Sequence, residues 1–465
     1  MVTVTTSPRA AGTAGARQWT ALGSVLLATF MGLLDASIVT VAVPSIQHGL
    51  GASFGEVQFV AAGYTLAYAV GLVTGGRLGD LYGRRRSFLT GVVLFLVTSV
   101  LCAAAPSAPL LIGARVLQGL AAAVMLPQVL SIVQASFTGP ARASALGLYG
   151  ATIGLASISG QIVGGALLAW NPLGLGWRSA FLVNVPIGLV ALAVAGATVT
   201  EGRGARSRLD LGGAGLLGLA LVGLLLPAAL GWPVWSLPFP PAGLALLVAF
   251  GAFERRQANP LVPMRLLAQR RMVRGLLTVL AFYAGNAGLF LLLAYHLQAG
   301  LGQSPLRSGL IFAPLGIGFA VASLAGRSRA ALVPGAALMA ASLTAVLLIV
   351  STVPGHAQIG WLLPALAVSG IGEGLVAAPL IGRVLAGVDP ADGGAASGVL
   401  LTATQVANAS GVALIGGLFA GALGAAPGTP GTALSAYDHA TAVTTAAVLA
   451  LAVLTGLLAR TLRDR

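Results

Sequence analysis

Long apolar segments alternate with short polar segments along almost the whole chain. A helix needs about 20 apolar residues to cross the hydrocarbon core of a bilayer, and fourteen segments approach that length. The pattern predicts an all-α membrane protein with 14 transmembrane helices. The predicted spans are residues 19–43, 56–76, 87–105, 108–134, 144–169, 180–199, 209–230, 238–255, 272–296, 307–326, 331–352, 359–383, 395–420 and 437–459.

The positions of the arginines orient these spans. All 25 basic residues are arginines, and 22 of them fall in cytoplasmic segments if the N-terminus is cytoplasmic. Only Arg178 and Arg307 fall outside, and Arg115 lies within a span. Basic residues concentrate on the cytoplasmic side of membrane proteins, and omitting one central span would invert every later loop. We therefore predict that the N- and C-termini are both cytoplasmic.

Charged segments divide the predicted helices into three groups. One such segment, 201–210, follows the sixth span, and another, 254–274, follows the eighth. Between Leu211 and Phe253 there is no charged residue. This division predicts a cytoplasmic tail at 1–18, a six-helix bundle at 19–200, two linker helices at 201–258 and a second six-helix bundle at 259–465.

Composition excludes a water-soluble protein. The chain is 57% hydrophobic and 8% charged, whereas soluble domains carry about 25% charged residues. The net charge of +14 comes from arginines between apolar spans, so membrane lipids are the predicted partner and nucleic acid is not. Cys102 is the single cysteine, and the four histidines form no cluster of ligands. We predict no metal site and no cofactor.

The polar segment Gly75–Arg86 separates the second and third predicted spans. It ends in three consecutive arginines, which do not lie in hydrocarbon, and it contains four glycines, which disfavour a continuous helix. We therefore predict a tight loop at the membrane surface. The spacing of its residues resembles the loop signature between the second and third helices of the major facilitator superfamily. The residues that carry this resemblance are Gly76, Asp80, Gly83, Arg84 and Arg85.

Four further segments are similar to signatures of the fourteen-helix drug–proton antiporter branch of that superfamily. They are residues 34–44, 111–119, 177–188, and 393–398 followed by Gln405. Together with the loop, these segments extend from residue 34 to beyond residue 398, so the resemblance spans nearly the whole chain. The resemblance implies two six-helix bundles joined by two linker helices, and a monomer that transports small molecules.

Asp35 and Arg115 are predicted to lie at the same depth of the membrane. Asp35 is 8 residues from the outer end of the first span and Arg115 is 7 residues from the start of the fourth. At about 1.5 Å per residue, both lie roughly 10–12 Å below the outer face. They meet if the first and fourth helices are neighbours, as the resemblance implies. Asp35 is then either a proton-binding carboxylate or a permanently ionised structural partner of Arg115.

Glu373 is a second acid within a predicted span, and the resemblance assigns it no role. The two functional explanations are a protonation site and an anchor for a cationic substrate. The alternatives are a carboxylate that faces a cytoplasmic vestibule, or one that pairs with an arginine there.

Amide side chains supply candidates for a substrate cavity. Residues 159–165 resemble the antiporter signature Gly-Pro-x-x-Gly-Gly, but Gln161 replaces the proline. Gln161 therefore either binds substrate or belongs to a closely packed helix contact. The other candidates are Gln128, Asn286, Gln405 and Asn408. Buried amides need hydrogen-bond partners, so contacts between helices are the alternative explanation for them.

Asp80 is predicted to lie at the same membrane face as the start of the thirteenth span, at 393–397. A carboxylate is attracted to the N-terminus of a helix, so we predict a contact that holds the two bundles together in an outward-open state. The alternative is a pair within the loop, between Asp80 and Arg84 or Arg85.

These features predict a proton-coupled exporter of hydrophobic or cationic small molecules in the bacterial inner membrane. Two alternatives remain: a proton-coupled uptake symporter of the same fold, and a membrane sensor that transports nothing. An enzyme is not predicted, because the His, Asp, Glu and Cys residues form no reactive constellation.

Overall fold

The computed structural model describes residues 15–202, 210–229, 234–257, 260–325, 331–386, 388–389, 392–423 and 430–462. Within these ranges the chain is helical and contains no strand. In chain order the α-helices are α1 (Ala16–Leu50), α2 (Phe54–Tyr82), α3 (Arg84–Ala104), α4 (Ala108–Ser136), α5 (Gly139–Trp170), α6 (Ser179–Leu182), α7 (Asn184–Thr198), α8 (Leu211–Ala229), α9 (Phe239–Glu254), α10 (Met264–Ala268), α11 (Arg270–Tyr295), α12 (Pro305–Ala325), α13 (Leu332–Thr352), α14 (Gln358–Val384), α15 (Gly393–Leu423) and α16 (Pro430–Thr461).

Twelve helical segments among the described residues are long and apolar enough to cross a membrane. One of them, Gly176–Thr198, combines α6 and α7. Three described helices are outside this set of twelve: α5, which is 32 residues long, α8, whose apolar part Leu211–Pro227 is shorter, and the short α10. The chain is therefore a multi-pass membrane protein.

The predicted loop at Gly75–Arg86 is wrong for most of its length, because α2 continues through it to Tyr82. The chain breaks only at Gly83, whose φ of 100° lies in the region that favours glycine. The earlier glycines serve close packing instead of a turn. A side chain added at Gly75 would collide with the backbone of Ala123 in α4. Small residues allow such close helix contacts in membranes. The packing gained in this way outweighs the low helix propensity of glycine.

The helices pack in two groups. Helices α1–α7 form one group and α11–α16 the other, and most of these helices pack mainly within their own group. The groups meet where α2 lies along α15 and where α5 lies along α12 and α14. Helices α8 and α9 pair with each other, and α8 also lies against both α2 and α15. The apolar contact around α8 includes Val73 of α2 and Phe250 of α9.

The two groups approach most closely at the end of the molecule that carries Asp80. There the backbones of Gly76 in α2 and Gly394 in α15 leave no room for a side chain on either glycine. A side chain on Gly398 would likewise collide with the backbone of Leu72. This close contact closes one end of the space between the groups.

Candidate functional site

A cavity of about 650 Å³ lies between the two groups of helices. Its volume falls in the range of pockets that enclose drug-sized molecules, about 300–1,000 Å³. Most of its lining comes from α11 and α12, with smaller contributions from α14 and α15, and with Ser37 of α1 and Gly154 of α5 on the opposite wall. Its aromatic side chains are Phe282, Tyr283, Phe290, Phe312 and Phe319.

The polar side chains of the cavity centre on Glu373. This carboxyl is buried, at 1% exposure. Asn286 donates a hydrogen bond from Nδ2 to Glu373 Oε2, and the hydroxyl of Ser369 donates to Oε1 at 3.3 Å. Ion pairs among the described residues do not include Glu373. A buried carboxylate without a cation is strongly unfavourable, so this position favours a bound proton or a cationic ligand.

Asp35 and Arg115 meet as a buried ion pair. The NH1 nitrogen of Arg115 lies 2.6 Å from Asp35 Oδ2, and the two side chains are 1% and 0% exposed. Helix α1 contacts α4, which brings the pair together from positions 80 residues apart. The residues that line the 650 Å³ cavity include Ser37 on the same helix but do not include Asp35.

Two amides complete the environment of Asp35. Asn184 Nδ2 donates to Asp35 Oδ1 at 2.7 Å, and Gln118 Nε2 donates to the same oxygen at 3.2 Å. Both amides also donate to the hydroxyl of Ser99, at 3.1 Å and 2.7 Å respectively. Neither amide is among the predicted site residues. Asn184 is the one polar side chain between Ala180 and Ala197, and Gln118 lies one helical turn after Arg115; these positions are the sequence signal that marks the two amides.

The Arg115 guanidinium is enclosed by rings and acceptors. It lies over the ring of Tyr64, 4.2 Å from the ring centre, and 5.7 Å from the ring centre of Phe181. Its Nε donates to the carbonyl of Val60 at 3.3 Å, and NH1 donates to Gln118 Oε1 at 2.7 Å. Desolvated cation–π contacts contribute about 2 kcal/mol. The pair is therefore enclosed on all these sides by protein groups.

Asp80 binds the first turn of α15. Its Oδ1 accepts a hydrogen bond from the amide of Gly394 and its Oδ2 accepts one from Ala395, both at 2.9 Å. Arg77 and Arg84 place positive charge nearby. The carboxylate thus satisfies two amides that have no partner within their own helix. Its negative charge is also stabilised by the positive end of the α15 helix dipole.

Arg85 and Arg86 at the α2–α3 junction bind within the first group of helices. Glu201 accepts hydrogen bonds from the amides of Arg85 and Arg86 at the start of α3, both at 3.2 Å. The Arg85 side chain donates to the carbonyl of Gly196 at 2.6 Å. The junction is therefore fixed to the end of α7, while Asp80 reaches the second group.

The predicted cavity amides are found in different places. Asn286 and Asn408 line the cavity, and Asn408 donates to Gln405 Oε1 at 3.4 Å. Gln128 is fully buried and donates from Nε2 to the carbonyl of Gly75 at 2.8 Å, which joins α4 to α2. The side chain of Gln161 lies outside the described residues.

No group of three or more His, Cys, Asp or Glu side chains that could hold a metal ion occurs in the part of the chain that the structure describes. The three acids predicted as site residues lie in separate places: Asp35 in a closed cluster, Glu373 at the cavity and Asp80 at the contact between the helix groups.

A ligand-sized cavity between two packed groups of membrane helices is typical of secondary transporters. The family comparison agrees with this class: residues 25–412 match the Major Facilitator Superfamily. The chain belongs to the Major Facilitator Superfamily, whose members take small-molecule substrates.

The chain is similar to several named transport and resistance proteins. It is 40% identical to the probable actinorhodin transporter of Streptomyces coelicolor, over 88% of this chain and 74% of that protein. It is 37% identical to the puromycin resistance protein pur8 of Streptomyces alboniger, over 96% and 92% of the two chains. It is also 37% identical to the cephamycin export protein CmcT of Amycolatopsis lactamdurans, over 94% and 92%.

Among solved structures, the human organic anion transporter MFSD10 has the same fold. The TM-score is 0.68 at 17% identity, over 95% of this chain and 99% of that one. By its family the chain is a transporter of this superfamily, and its relatives are named for antibiotic transport, resistance or export.

Proposed function

We propose that the protein is a proton-coupled exporter of hydrophobic or cationic small molecules in the bacterial inner membrane. Alternating access moves the substrate outward while protons move inward. The names of the relatives support export of antibiotic-like compounds. Support for the mechanism comes from one observation above all: an acid without an ion-pair partner, Glu373, lines a cavity that is closed at the Asp80 end.

The proposed architecture has fourteen transmembrane helices, with both termini in the cytoplasm. Helices α5 and α8 add the two spans beyond the twelve that meet the length and hydropathy criteria. The proposed units are a tail at 1–18, bundles at 19–200 and 259–465, and linker helices at 201–258. The concentration of arginines in predicted cytoplasmic segments supports the orientation.

The cavity supports an outward-facing state. Gly309 and Ala294 line the cavity and lie near the ends of α12 and α11 that are proposed to be outside. Asp80 and the start of α15 close the proposed cytoplasmic end. In an inward-facing state these hydrogen bonds break, and α2 separates from α15.

Coupling at Glu373 follows from competition for one carboxylate. The cavity combines an aromatic lining with a single acidic side chain among its described residues, so it suits an aromatic molecule with one positive charge. A proton or that cation removes the cost of an unpaired buried charge, and each excludes the other. Two ligands that compete for one site, or favour different states, are coupled. An inward-moving proton therefore displaces an outward-moving cation.

Asp35 and Arg115 are proposed to respond to the same cycle from within the first bundle. When the bundles move, water reaches the cluster, Arg115 separates from Asp35 while it keeps its hydrogen bond to Gln118, and Asp35 accepts a proton. The closed hydrogen-bond cluster around Asp35 in this state supports a switch between an ionised and a protonated form. Gln161, Gln405 and Asn408 remain candidates for contacts with substrate.

Transport into inverted membrane vesicles tests the proposal. With the vesicle interior acidified, an exporter accumulates cationic dyes and antibiotics, and a protonophore abolishes the accumulation. A symporter for uptake accumulates substrate only with the opposite gradient. A sensor produces no flux under either condition, and either of these two results would reject export.

A further inference from the structure

A carboxyl group at the start of the first linker helix, α8, lies next to a carboxyl group at the end of the second linker helix, α9. Asp210 directly precedes α8, and Glu254 is the last residue of α9. The amide of Gly213 donates to Asp210 Oδ1 at 2.8 Å. The amide of Val262, beyond the end of α9, donates to Glu254 Oε2 at 3.0 Å. Each carboxyl therefore has one oxygen bound to a backbone N–H group.

The remaining two oxygens face each other without a donor. Asp210 Oδ2 and Glu254 Oε1 are both buried and accept no hydrogen bond from any described residue. Glu254 is only 1% exposed. The two carboxyls lie within hydrogen-bonding distance of each other, and a side chain on Gly213 would collide with both free oxygens. The space between them is therefore small and enclosed.

Arg265, Arg255 and Arg256, on elements next to the two carboxyls, are engaged elsewhere or are exposed. Arg265 of α10 binds Asp392 at 2.5 Å, and Arg255 and Arg256 at the end of α9 are exposed. Ion pairs among the described residues include neither carboxyl of the pair. The charged residues of the elements packed around the linker helices at this membrane face are Arg77 and Asp80 of α2, Arg255 and Arg256 of α9, Arg265 of α10, and Asp392 before α15.

We propose that Asp210 and Glu254 form a proton-binding site in which one proton is shared between Oδ2 and Oε1. Two ionised carboxylates at this distance repel each other, and burial adds a desolvation cost. A single proton supplies the missing donor and leaves one negative charge on the pair, which the amides of Gly213 and Val262 stabilise. The pair then titrates as a unit.

The shared proton joins the start of α8 to the end of α9. Loss of the proton replaces a hydrogen bond with repulsion and loosens this end of the two linker helices. Because α8 lies against both α2 and α15, the linker helices then pack less firmly where the two groups meet. The site is separate from Glu373, so it senses pH at this membrane face without carrying the transported proton.

Hydrogen–deuterium exchange of the purified full-length protein tests the site. Exchange is measured at pH 6 and pH 8, corrected for intrinsic rates, with α13 as internal reference. We expect α8 and α9 to exchange severalfold faster at pH 8 in the wild type. In Glu254→Gln the new amide donates permanently to Asp210, so exchange should be the same at both pH values. Asp210→Asn provides the same donor from the other side and should give the same result.

Glu56→Gln is the matched control. Glu56 is an acid at the start of α2, and the hydroxyl and amide of Ser53 donate to its carboxylate. These hydrogen bonds, the hydroxyl first, lower the pKa of Glu56 below its ordinary value, so it stays ionised across the tested range. The control should retain the pH response of the wild type.

Three results would overturn the proposal. The pH response could survive unchanged in both Glu254→Gln and Asp210→Asn. Sodium or magnesium salts could restore slow exchange at pH 8, which would identify a metal cation in place of the proton. Finally, Arg208→Gln could abolish the response while the two acid variants keep it, which would assign it to that arginine, two residues before Asp210.

Discussion

The carboxylate of Asp80 accepts a hydrogen bond from the backbone amide of Gly394, which lies 314 residues further along the chain, at 2.9 Å. Asp80 belongs to α2 and Gly394 to the first turn of α15, so this contact joins the two groups of helices. It also accounts for the glycines on both sides, since a side chain on Gly76 or Gly394 would separate the two backbones.

Asp80→Asn should open this contact. The substitution places an NH2 group against a backbone amide and removes the charge. Hydrogen bonds to charged groups contribute about 1.5–3 kcal/mol, so opening should become about 10-fold more frequent or more. Thiol labelling of Ser397→Cys in a Cys102→Ser background measures it, because Ser397 is fully buried beside Ser131.

Glu201→Gln serves as the control for Asp80→Asn. Glu201 lies at the same end of the molecule, but its hydrogen bonds join α3 to the end of α7 within one group. Its loss should leave the labelling rate near that of the wild type. Equal labelling in wild type and Asp80→Asn would remove the contact from the transport cycle.

Asp35→Asn should destabilise the protein strongly. Arg115 then remains buried without a counter-ion, and breaking a buried ion pair costs about 3–5 kcal/mol. In Asp35→Asn/Arg115→Met no buried charge is left, so the double variant should regain part of the lost stability. Equilibrium unfolding in detergent measures both effects. Wild-type stability in Asp35→Asn would mean that Asp35 is normally protonated in this state.

Two glycines of α15 offer a matched comparison of helix packing. A side chain on Gly411 would collide with the backbone of Ala284 in α11, whereas Gly417 has nothing within 4 Å. Gly411→Ala should therefore lower the unfolding temperature. Gly417→Ala should raise it slightly, because alanine is better than glycine in a helix by about 1 kcal/mol. Equal effects of the two substitutions would show that α11 and α15 do not pack as described.

Local chemistry allowed part of this structure to be predicted from the sequence. Apolar length predicted a multi-pass helical membrane protein, because a bilayer fixes the length of a span, and twelve described segments are long and apolar enough to cross a membrane. Counting residues from the span ends placed Asp35 and Arg115 at one depth, and they do form a pair. The glycines of α2 misled the prediction because they serve contacts with other helices, and a single sequence does not show which helices touch.

The surroundings of Glu373 were beyond prediction for the same reason. Its partner Asn286 comes from a helix 87 residues away, and only the packing of α11 against α14 reveals it. Gln128 was predicted for the cavity on its chemistry alone, but it faces the carbonyl of Gly75. When a helix is apolar on every side, its sequence does not show which neighbouring helix or cavity a given side chain faces.

The affinity of the purified protein for an aromatic cation such as ethidium, measured across a pH series, is the most direct test of competition at Glu373. If one proton and one cation share this carboxylate, ethidium affinity in the wild type falls as the pH falls, towards tenfold per pH unit. Glu373→Gln binds ethidium weakly and equally at every pH, while Glu56→Gln behaves as the wild type does. Wild-type affinity with an unchanged pH dependence in Glu373→Gln would contradict the proposed coupling.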